Sequence, residues 1–408
     1  MNFEAFIAQR LNQEKHSSGS VTKPAFTFSV LAIVLGIILM IIAVATGTGL
    51  QKEIQGKLIG FTGHIQISKF DLNTSYENAP VSIVQDFYPE MNLDGFTHIQ
   101  KFATKAGILK SRDAFEGVVL KGISDDYRLD YLKSVMKKGA IPAFGRERND
   151  SILISNYLAK LLTLSVGDTA KMFFMREAPK PPRVRNFVVA GIYETGLEDI
   201  DHNYIIGDFE QIRRLNRWEK SQAGGFEVFI DDFNKIDERG EFLTHEIPFD
   251  LNAETLKRKN EKIFQWLDLF DMNIYIIIII MVLVASLNMI MALFIIILER
   301  THLIGVLKTL GASNLSIRNI FLRQSTRLIF KGMFLGNFFG LAFCYIQKYF
   351  GFIKLDQTTY YVTEVPIDIN WLYIAGINLG VFISCMLAMM LPSLLVTRIK
   401  PVKVLRFD

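Results

Sequence analysis

The sequence is poor in cysteine and lacks the patterns typical of zinc sites, nucleic-acid binding and ATP hydrolysis. Its two cysteines, Cys344 and Cys385, lie inside apolar runs where a thiol acts as a small hydrophobe, so neither a disulfide framework nor a cysteine–histidine zinc site is predicted. The 45 basic and 41 acidic residues leave a net charge of only +4, and no basic stripe interleaved with aromatics suggests nucleic-acid binding. No G-x-x-x-x-G-K-[ST] loop is present to cradle phosphates, so the chain is not expected to hydrolyse ATP.

Long apolar runs are what the sequence has instead. Half of the 408 residues are hydrophobic while 21% are charged, so the charges must be segregated from the apolar runs. A bilayer core of about 30 Å requires roughly 20 apolar residues in a helix, because every backbone amide must be bonded internally there. The first run follows a basic leader, as a secretory signal would, but its apolar core is too long for one. The sequence predicts a membrane α-helical protein whose four transmembrane helices span residues 26–48, 272–298, 328–350 and 369–396.

Charge in the short segments predicts the orientation. Lysine and arginine are in excess in segments 1–25, 299–327 and 397–408, so these should be cytoplasmic, together with both chain termini. Segment 351–368 carries more acid than base and should be a short periplasmic loop. Segment 49–271 is polar and long enough for its own core, and we interpret it as a large α+β extracytoplasmic domain.

Alternation and periodicity indicate local structure in this domain. Helical spacing of apolar residues over Ala253–Phe270 predicts a helix that runs without a break into the second span. Period-two alternation predicts strands at His64–Ser68, Val118–Ile123, Ser151–Ile154, Asn186–Tyr193 and Phe226–Ile230.

Two polar segments of the domain could be mistaken for chemical sites. Glu198, Asp199, Asp201 and His202 lack a spacing that converges ligands on one metal ion, so we interpret them as a solvated loop and predict no metal site. The second segment lies between two strands, and its prolines fix φ and remove ladder donors, which predicts a stiff hairpin tip. Both a partner-docking role and a plain exposed loop fit this tip, which consists of Pro179, Lys180, Pro181, Pro182 and Arg183.

Small residues recur at every fourth position in the third and fourth spans. Such faces allow close helix contact, and we expect the two spans to pack on each other rather than to form a dimer face or a moving seam. Asn288, Asn337 and Asn378 should form interhelical hydrogen bonds, and no Asp, Glu or Arg lies mid-span to relay protons or ions. The small residues are Gly332, Gly336 and Gly340, then Gly376, Gly380 and Ser384.

The segment after the second span is the most informative. Its pattern predicts a short amphipathic helix that ends at Gly311. The apolar face of this helix consists of Leu303, Val306, Leu307 and Leu310. The same segment resembles the motif E-R-x-x-E-I-G-x-L-[KR]-x-[LI]-G-A of the FtsX-like permease superfamily, although Leu303 stands where the family has an acid. The matching residues are Glu299, Arg300, Ile304, Gly305, Leu307, Lys308, Leu310, Gly311 and Ala312.

This resemblance implies that the helix couples the chain to a separate ABC ATPase subunit, present in two copies, which binds ATP and magnesium. No cofactor is implied for this chain itself. The start at Phe3–Leu11 and the ending at Pro392–Arg406 are also similar to the family, and length and N-terminus resemble its lipoprotein-releasing permeases of the LolC/LolE type.

Resemblance to that subfamily implies that the chain lies in the inner membrane of a Gram-negative bacterium. A second permease, identical or homologous, would help to hold a lipoprotein cargo between the first and second spans, among membrane lipids. The hairpin tip Pro179–Arg183 would serve as a hook that binds a periplasmic lipoprotein carrier. MacB-like peptide or drug export, FtsX-like signalling and a membrane-anchored sensor stay open as alternatives, although the first usually has a fused ATPase and the second a smaller external domain.

Overall fold

The computed structural model describes residues 22–70, 76–91, 93–111, 114–145, 148–176 and 179–394. The N-terminal segment as far as residue 21, the tail from residue 395 and the family-like residues within them lie outside the described residues, as do Glu177 and Ala178 of the proline segment. The described chain forms two compact units. The membrane unit comprises the chain up to Gln51, Trp266–Lys354 and Glu364 onward, and the external domain comprises Lys52–Gln265 and Leu355–Thr363.

The helices of the described residues fall into a long and a short class. Four of them are long and apolar enough to cross a membrane, which confirms the four predicted spans. In chain order the α-helices are α1 (Thr22–Thr62), α2 (Asp130–Val135), α3 (Asn156–Leu161), α4 (Glu198–Asn203), α5 (Phe209–Asn216), α6 (Ile236–Glu246), α7 (Leu256–Lys259), α8 (Glu261–Glu299), α9 (Thr301–Thr309), α10 (Asn314–Phe350), α11 (Gln357–Tyr360) and α12 (Trp371–Ser393).

The membrane unit is built around α1. Half of the most apolar stretch of α1 is buried, against 22–28% for the spans α8, α10 and α12, so α1 is the central helix of this unit. Its isoleucines Ile33, Ile37 and Ile41 are almost fully buried in one apolar cluster to which all four spans contribute. Apolar contacts with lipid cost nothing, so the exposed leucines and phenylalanines of the outer three spans are expected here.

The strands of the external domain are β1 (Ile65–Lys69), β2 (Val81–Ser82), β3 (Phe96–Lys110), β4 (Phe115–Ile123), β5 (Met136–Gly139), β6 (Ser151–Ser155), β7 (Thr169–Phe174), β8 (Arg183–Tyr193), β9 (Tyr204–Asp208), β10 (Gln222–Ala223), β11 (Gly225–Ile230) and β12 (Leu251–Thr255). Ten of these described strands form one sheet that divides at β3 into a closed ring and an open part, while β2 pairs with β10.

Six of these strands close into a ring. In order around the ring they are β3, β4, β9, β6, β8 and β7, and β7 completes it by pairing with both β8 and β3. Each strand contributes side chains to a single buried core, which includes Leu120, Ile154, Phe174, Phe187 and Ile205. Closure leaves these six strands without an open edge, which protects them from pairing with other chains.

The long strand β3 also belongs to the open part of the sheet, in the order β12, β1, β11, β3. One face of this sheet carries a row of polar side chains, because the registers place Glu254 beside Gln66, Gln66 beside Glu227, and Glu227 beside Gln100. The row borders a cavity of about 420 Å³. Glu227 is fully buried and accepts hydrogen bonds from Gln66 and Gln100 at 3.1 and 2.8 Å.

Lys121 of β4 completes this polar row. Its Nζ lies 2.6 Å from Glu227 Oε1, donates to the carbonyl of Phe61 in the last turn of α1, and faces the Phe61 ring at 4.5 Å. Carbonyls at a helix C-terminus lack partners within the helix and carry partial negative charge, so a buried ammonium is a suitable partner. The ion pair therefore joins α1 to the sheet inside the external domain.

The strand predictions were confirmed, whereas one helix prediction was wrong in part. All five predicted strands are present, as β1, β4, β6, β8 and β11. The stretch Ala253–Phe270 is not one helix: it begins in strand β12, continues through the single turn of α7, and enters α8 only at Glu261. Ala253 alternates with its neighbours along the edge of the open sheet, and pairing with β1 outweighs helical periodicity there.

Candidate functional site

The segment that joins the second and third spans forms a short helix between two long ones. Helix α8 ends at Glu299, α9 occupies Thr301–Thr309, and α10 begins at Asn314. At the junction the Thr301 hydroxyl donates to the carbonyl of Leu298 at 2.6 Å, which satisfies a C-terminal carbonyl of α8. The backbone amides of Arg300 and Ile304 also remain bonded across the junction, to the carbonyls of Ile296 and Arg300.

One face of α9 is fixed in the core of the membrane unit. Ile304 is fully buried and Leu307 is 7% exposed, and both pack in the cluster that contains Ile296 of α8 and Ile317 of α10. Burial of two such side chains contributes about 1.5–3 kcal/mol each where water is the alternative. Ile304 and Leu307 therefore attach α9 to the ends of α8 and α10.

Gly311 ends α9 as the sequence predicted. Its φ is +89°, a conformation in which glycine has no Cβ penalty, and the amide of Ala312 donates to the carbonyl of Leu307 at 2.9 Å. Immediately afterwards the Ser313 side chain caps α10 by accepting from the Ser316 amide at 3.1 Å. These two caps define both ends of the turn.

The outer face of α9 differs from the predicted one. Leu310 was expected on the apolar face with Leu307, but it is 78% exposed, while Ile304 takes the inner position. The reason is that Leu310 follows the last helical residue, so its side chain no longer obeys the helical period. Leu315, in the first turn of α10, is also 63% exposed, and sequence analysis did not single it out.

The nine residues predicted to couple the chain to an ATPase therefore divide into three groups. Ile304, Gly305 and Leu307 are buried; Lys308 and Ala312 are partly buried, as is Arg300 between α8 and α9; Glu299, Leu310 and Gly311 are exposed or lie at the surface. The exposed surface around α9, which we call the α9 knob, consists of His302, Thr309, Leu310, Gly311 and Leu315.

The proline segment forms the tip of the β7–β8 hairpin. At its base Arg176 donates through two guanidinium nitrogens to the carbonyl of Pro181, at 2.8 and 2.7 Å. Pro179, Lys180, Pro181 and Pro182 are exposed, and Arg183 begins β8. These two bonds join Arg176, just beyond the end of β7, to Pro181.

Positive charge is concentrated beside this tip. Arg183 donates to the carbonyl of Leu215 at the end of α5, at 2.5 Å. Loss of solvation, followed by the charges of Arg217, Arg176 and Arg185, lowers the pKa of Arg183. Such a surface favours acidic partners.

The acidic segment is a helix rather than the predicted solvated loop. Glu198–Asn203 forms α4, and Asp201 is only 7% exposed. The Asp201 carboxylate accepts from the Thr195 amide and hydroxyl and from the Gly196 amide at 2.9–3.0 Å, so it fixes the preceding turn. His202 stacks on Tyr157 with ring centroids 3.6 Å apart. Among the described residues no group of three or more potential ligands is placed to hold a metal ion.

The glycine stripe of the third span faces a different helix from the one expected. A Cβ at Gly332, Gly336 or Gly340 would lie 2.7–3.2 Å from side chains of Ile33, Ile37 and Ile41, so this stripe packs on α1 and not on the fourth span. A Cβ at Gly376 or Gly380 of α12 would meet nothing within 4 Å of the described chain, and Ser384 is partly buried. The two spans do pack on each other as predicted, but the glycine stripes do not form that contact.

Asparagine side chains, rather than the glycine stripes, join α10 to α12. Asn337 and Asn378 exchange amide hydrogen bonds at 2.7 and 2.9 Å, which confirms that both form interhelical hydrogen bonds. Asn288 takes part differently, because its backbone carbonyl accepts from the Ser29 hydroxyl at 3.4 Å.

Comparison with known proteins matches the two halves of the chain to two family profiles. Residues 26–232 match the MacB-like periplasmic core domain, and residues 275–401 match the FtsX-like permease C-terminal domain. The periplasmic region of MacB from Actinobacillus actinomycetemcomitans aligns structurally with 50% of this chain and 95% of its own, at 15% identity and a TM-score of 0.35.

Curated relatives align along nearly the whole chain. The lipoprotein-releasing system transmembrane protein LolC of Xylella fastidiosa is 21% identical, with 93% of each chain covered. LolC of Neisseria meningitidis serogroup B is 23% identical with full coverage of both chains, and LolE of Haemophilus influenzae is 20% identical with 99% of each covered.

Proposed function

The chain belongs to the FtsX-like permease family, in the branch with a MacB-like periplasmic core domain, and from this premise we propose that it is a permease subunit that releases lipoproteins from a membrane. It acts as a non-catalytic part of an ABC transporter in the inner membrane of a Gram-negative bacterium. Both termini and the α9 knob face the cytoplasm, which the basic charge of the short segments beside them supports.

The partners follow from this role. Two copies of a separate ATPase subunit bind ATP and magnesium, and a second permease, identical or homologous, completes the membrane complex. Lipoprotein cargo is held between the first and second spans and passes to a periplasmic carrier. Each acyl CH₂ that leaves the bilayer costs about 0.8 kcal/mol, so extraction needs an external energy source.

The observation that carries the proposal is the construction of the α9 knob. Ile304 and Leu307 attach α9 to the ends of two membrane helices, while Leu310 at its tip is 78% exposed. An exposed apolar side chain on a rigidly supported turn suits a pocket in a partner protein. A partner that closes on Leu310 would move α8 and α10 together.

Replacement of Leu310 by glutamate tests the docking. We expect L310E to reduce retention of the ATPase subunit on the purified permease by roughly tenfold or more, because a hot-spot side chain contributes about 2 kcal/mol or more. Leu372 is the matched control, because it is also 78% exposed but begins α12 at the opposite end of the spans. Equal retention by L310E, L372E and the unmodified chain would contradict the proposed docking.

Release of cargo tests the function itself. Proteoliposomes that contain both permeases, the ATPase and a fluorescent lipoprotein should transfer lipoprotein to a soluble carrier only when ATP is hydrolysed. Transfer at the full rate without nucleotide would refute the energy coupling.

The β7–β8 tip is proposed as the docking point for the carrier. The Arg176 clamp on Pro181 reduces the conformational entropy lost on binding, and the neighbouring arginines favour an acidic partner. A photoreactive residue in place of Lys180 should crosslink to the carrier, whereas the same residue in place of Lys235, an exposed lysine elsewhere in the domain, should not. Equal labelling from both positions would argue against a specific hook.

A further inference from the structure

An open groove on the surface of the membrane unit lies between α1 and α10. Its volume is about 430 Å³, within the range of roughly 300–1,000 Å³ that is typical of ligand sites. The groove, which we call the α1–α10 groove, is lined by Val30 of α1 and by Phe330, Lys331, Phe334 and Leu335 of α10. All four residues from α10 are exposed, and Lys331 is the one charged side chain among the five. The groove therefore combines an apolar surface with a single amine.

Packing on both sides fixes the position of the groove. A Cβ at Gly332 would lie 2.7 Å from the Ile33 side chain and 3.5 Å from the Val30 carbonyl, so α1 and α10 approach each other closely beside the groove. On the other side the Phe330 ring packs on Phe382 of α12, with ring centroids 5.4 Å apart. The groove is thus bounded by packed helices and not by a loop.

The position of Lys331 along α10 places its amine near the membrane surface. From Lys331 the helix continues for about 28 Å to its end at Phe350, at about 1.5 Å per residue. This length nearly equals the roughly 30 Å of the hydrocarbon core. Tyr349, at the far end, is 84% exposed, and tyrosine is typical of the boundary between lipid and water. Lys331 therefore lies at the level of the lipid headgroups, with Phe334 and Leu335 on the side of the hydrocarbon core.

Positive charge continues from the groove along the same helix. Arg323, Arg327 and Lys331 recur at every fourth position of α10, so they share one face, and all three are exposed. Neither α10 nor α12 contains an acidic residue, and the first acid of α1 is Glu53, about 35 Å along the helix from Val30. Within the described residues neither Arg327 nor Lys331 takes part in an ion pair. This face therefore suits a negatively charged group.

We propose that the α1–α10 groove binds one anionic glycerophospholipid, with its phosphate at Lys331 and Arg327 and one acyl chain beside Phe334 and Leu335. An acyl chain gains little by leaving other lipids for an apolar groove, so the apolar part does not select one lipid class. The basic pair supplies the selectivity, because each lysine or arginine near the membrane surface favours anionic lipid by roughly fivefold. Basic pockets between membrane helices bind anionic headgroups in the same way.

This lipid site is separate from the proposed position of the cargo. It lies between the first and third spans, whereas the lipoprotein is proposed to lie between the first and second. The site requires only that the chain spans a membrane, so its binding can be measured without ATP, a carrier or lipoprotein release. Failure of the proposed function would therefore leave the outcome of that measurement unchanged.

Native mass spectrometry of the full chain in detergent measures the lipid preference. Phosphatidylglycerol and phosphatidylethanolamine with the same acyl chains are added in equal amounts, and the bound molecules of each are counted. The unmodified chain should retain phosphatidylglycerol over phosphatidylethanolamine by roughly 25-fold, because two basic side chains contribute. Equal retention of the two lipids would overturn the site.

Substitutions of Lys331 test the role of its charge. K331Q should lower the preference roughly fivefold, whereas K331R should keep it. K348Q is the matched control, because Lys348 is an exposed lysine near the other end of the same helix. An equal loss in K331Q and K348Q would show attraction by net charge alone and would overturn the site.

Filling the groove tests its apolar part without a change of charge. L335W adds bulk beside Lys331 and should lower retention of phosphatidylglycerol, whereas L379W, at a leucine of α12 that is 60% exposed, should not. Unchanged retention in L335W would show that the groove does not hold the lipid.

A phosphatidylglycerol with a photoreactive group in its acyl chain identifies the position. The label should attach to the segment Phe330–Leu335, and excess unlabelled phosphatidylglycerol should prevent the attachment. Attachment to other segments only would overturn the site. Displacement of the label by lipoprotein, or its loss when the second permease is present, would assign the groove to one of those occupants and would also overturn the lipid site.

Discussion

Removal of the Lys121 ammonium should destabilise the external domain strongly. Lys121 is 2% exposed and Glu227 is fully buried, with their charged atoms 2.6 Å apart. Lys121→Met keeps most of the side-chain volume but leaves the Glu227 carboxylate with only amide donors from Gln66 and Gln100. It also removes the cation from the Phe61 carbonyl.

The expected size of the effect follows from this burial. Loss of one partner of a buried ion pair costs about 3–5 kcal/mol, because an uncompensated charge remains in the interior. For a domain of this size each kcal/mol lowers the melting temperature by roughly 2–4 °C, which gives a decrease of roughly 6–20 °C. Removal of both charges should cost much less, so K121M/E227Q should recover most of the loss.

Thermal unfolding of the full chain in detergent measures this effect. Trp218 is 9% exposed in the external domain, whereas Trp266 and Trp371 belong to the membrane unit, so replacing the latter two by phenylalanine lets fluorescence report on the domain alone. If K121M melted with the unmodified chain, or if K121M/E227Q were no more stable than K121M, the ion pair would not have the role assigned to it.

Three further predictions concern acid stability and helix packing. Burial and the charge of Arg128 lower the pKa of His64 to about 4. The unfolded chain therefore binds more protons than the folded chain between pH 6.5 and 4, and the free energy of unfolding of the domain should fall by about 2 kcal/mol by pH 5. Thermal unfolding at pH 7.5 and pH 5 should show no such fall for H64N. An equal fall in H64N and in the unmodified chain would contradict the assignment. G336A should lower the free energy of unfolding of the membrane unit by about 1–3 kcal/mol, because the added Cβ would meet Ile37. G380A should have no such effect, since its Cβ meets nothing within 4 Å. Equal effects of the two variants would show that the stripe does not pack on α1. A double-mutant cycle with N337A and N378A should give a coupling of about 0.6 kcal/mol, and zero coupling would refute the amide pair.

Properties that depend on local sequence were predictable. A run of apolar residues such as that in α1 must cross the bilayer whatever its neighbours are, because its backbone can be satisfied there only as a helix. The cap at Gly311 and the strand at Phe226–Ile230 are of the same kind, since turn chemistry and period-two alternation act over a few residues. The position of the proline segment between two strands followed from local sequence in the same way.

Properties that depend on distant partners were not predictable. Helical periodicity over Ala253–Phe270 competed with pairing to β1, which lies almost 190 residues earlier in the chain, and the pairing prevailed in its first part. Gly336 has the spacing of a packing face, but spacing does not say which helix is packed, and here it is α1. Glu198–Asn203 looked like a solvated loop, but the carbonyl of Asp201 accepts from the hydroxyl of Ser155, 46 residues earlier in the chain.

By itself the sequence determined four membrane spans, a large external domain and a short helix with family-like residues after the second span, because hydrophobic length, charge bias and capping residues act locally. The packed structure was needed to show that Leu310 faces outward while Ile304 is buried, that α1 is the central span, and that Lys57 donates to the carbonyl of Tyr361. The physical reason is that burial and hydrogen bonding between segments hundreds of residues apart depend on the whole packed arrangement, which no local pattern encodes.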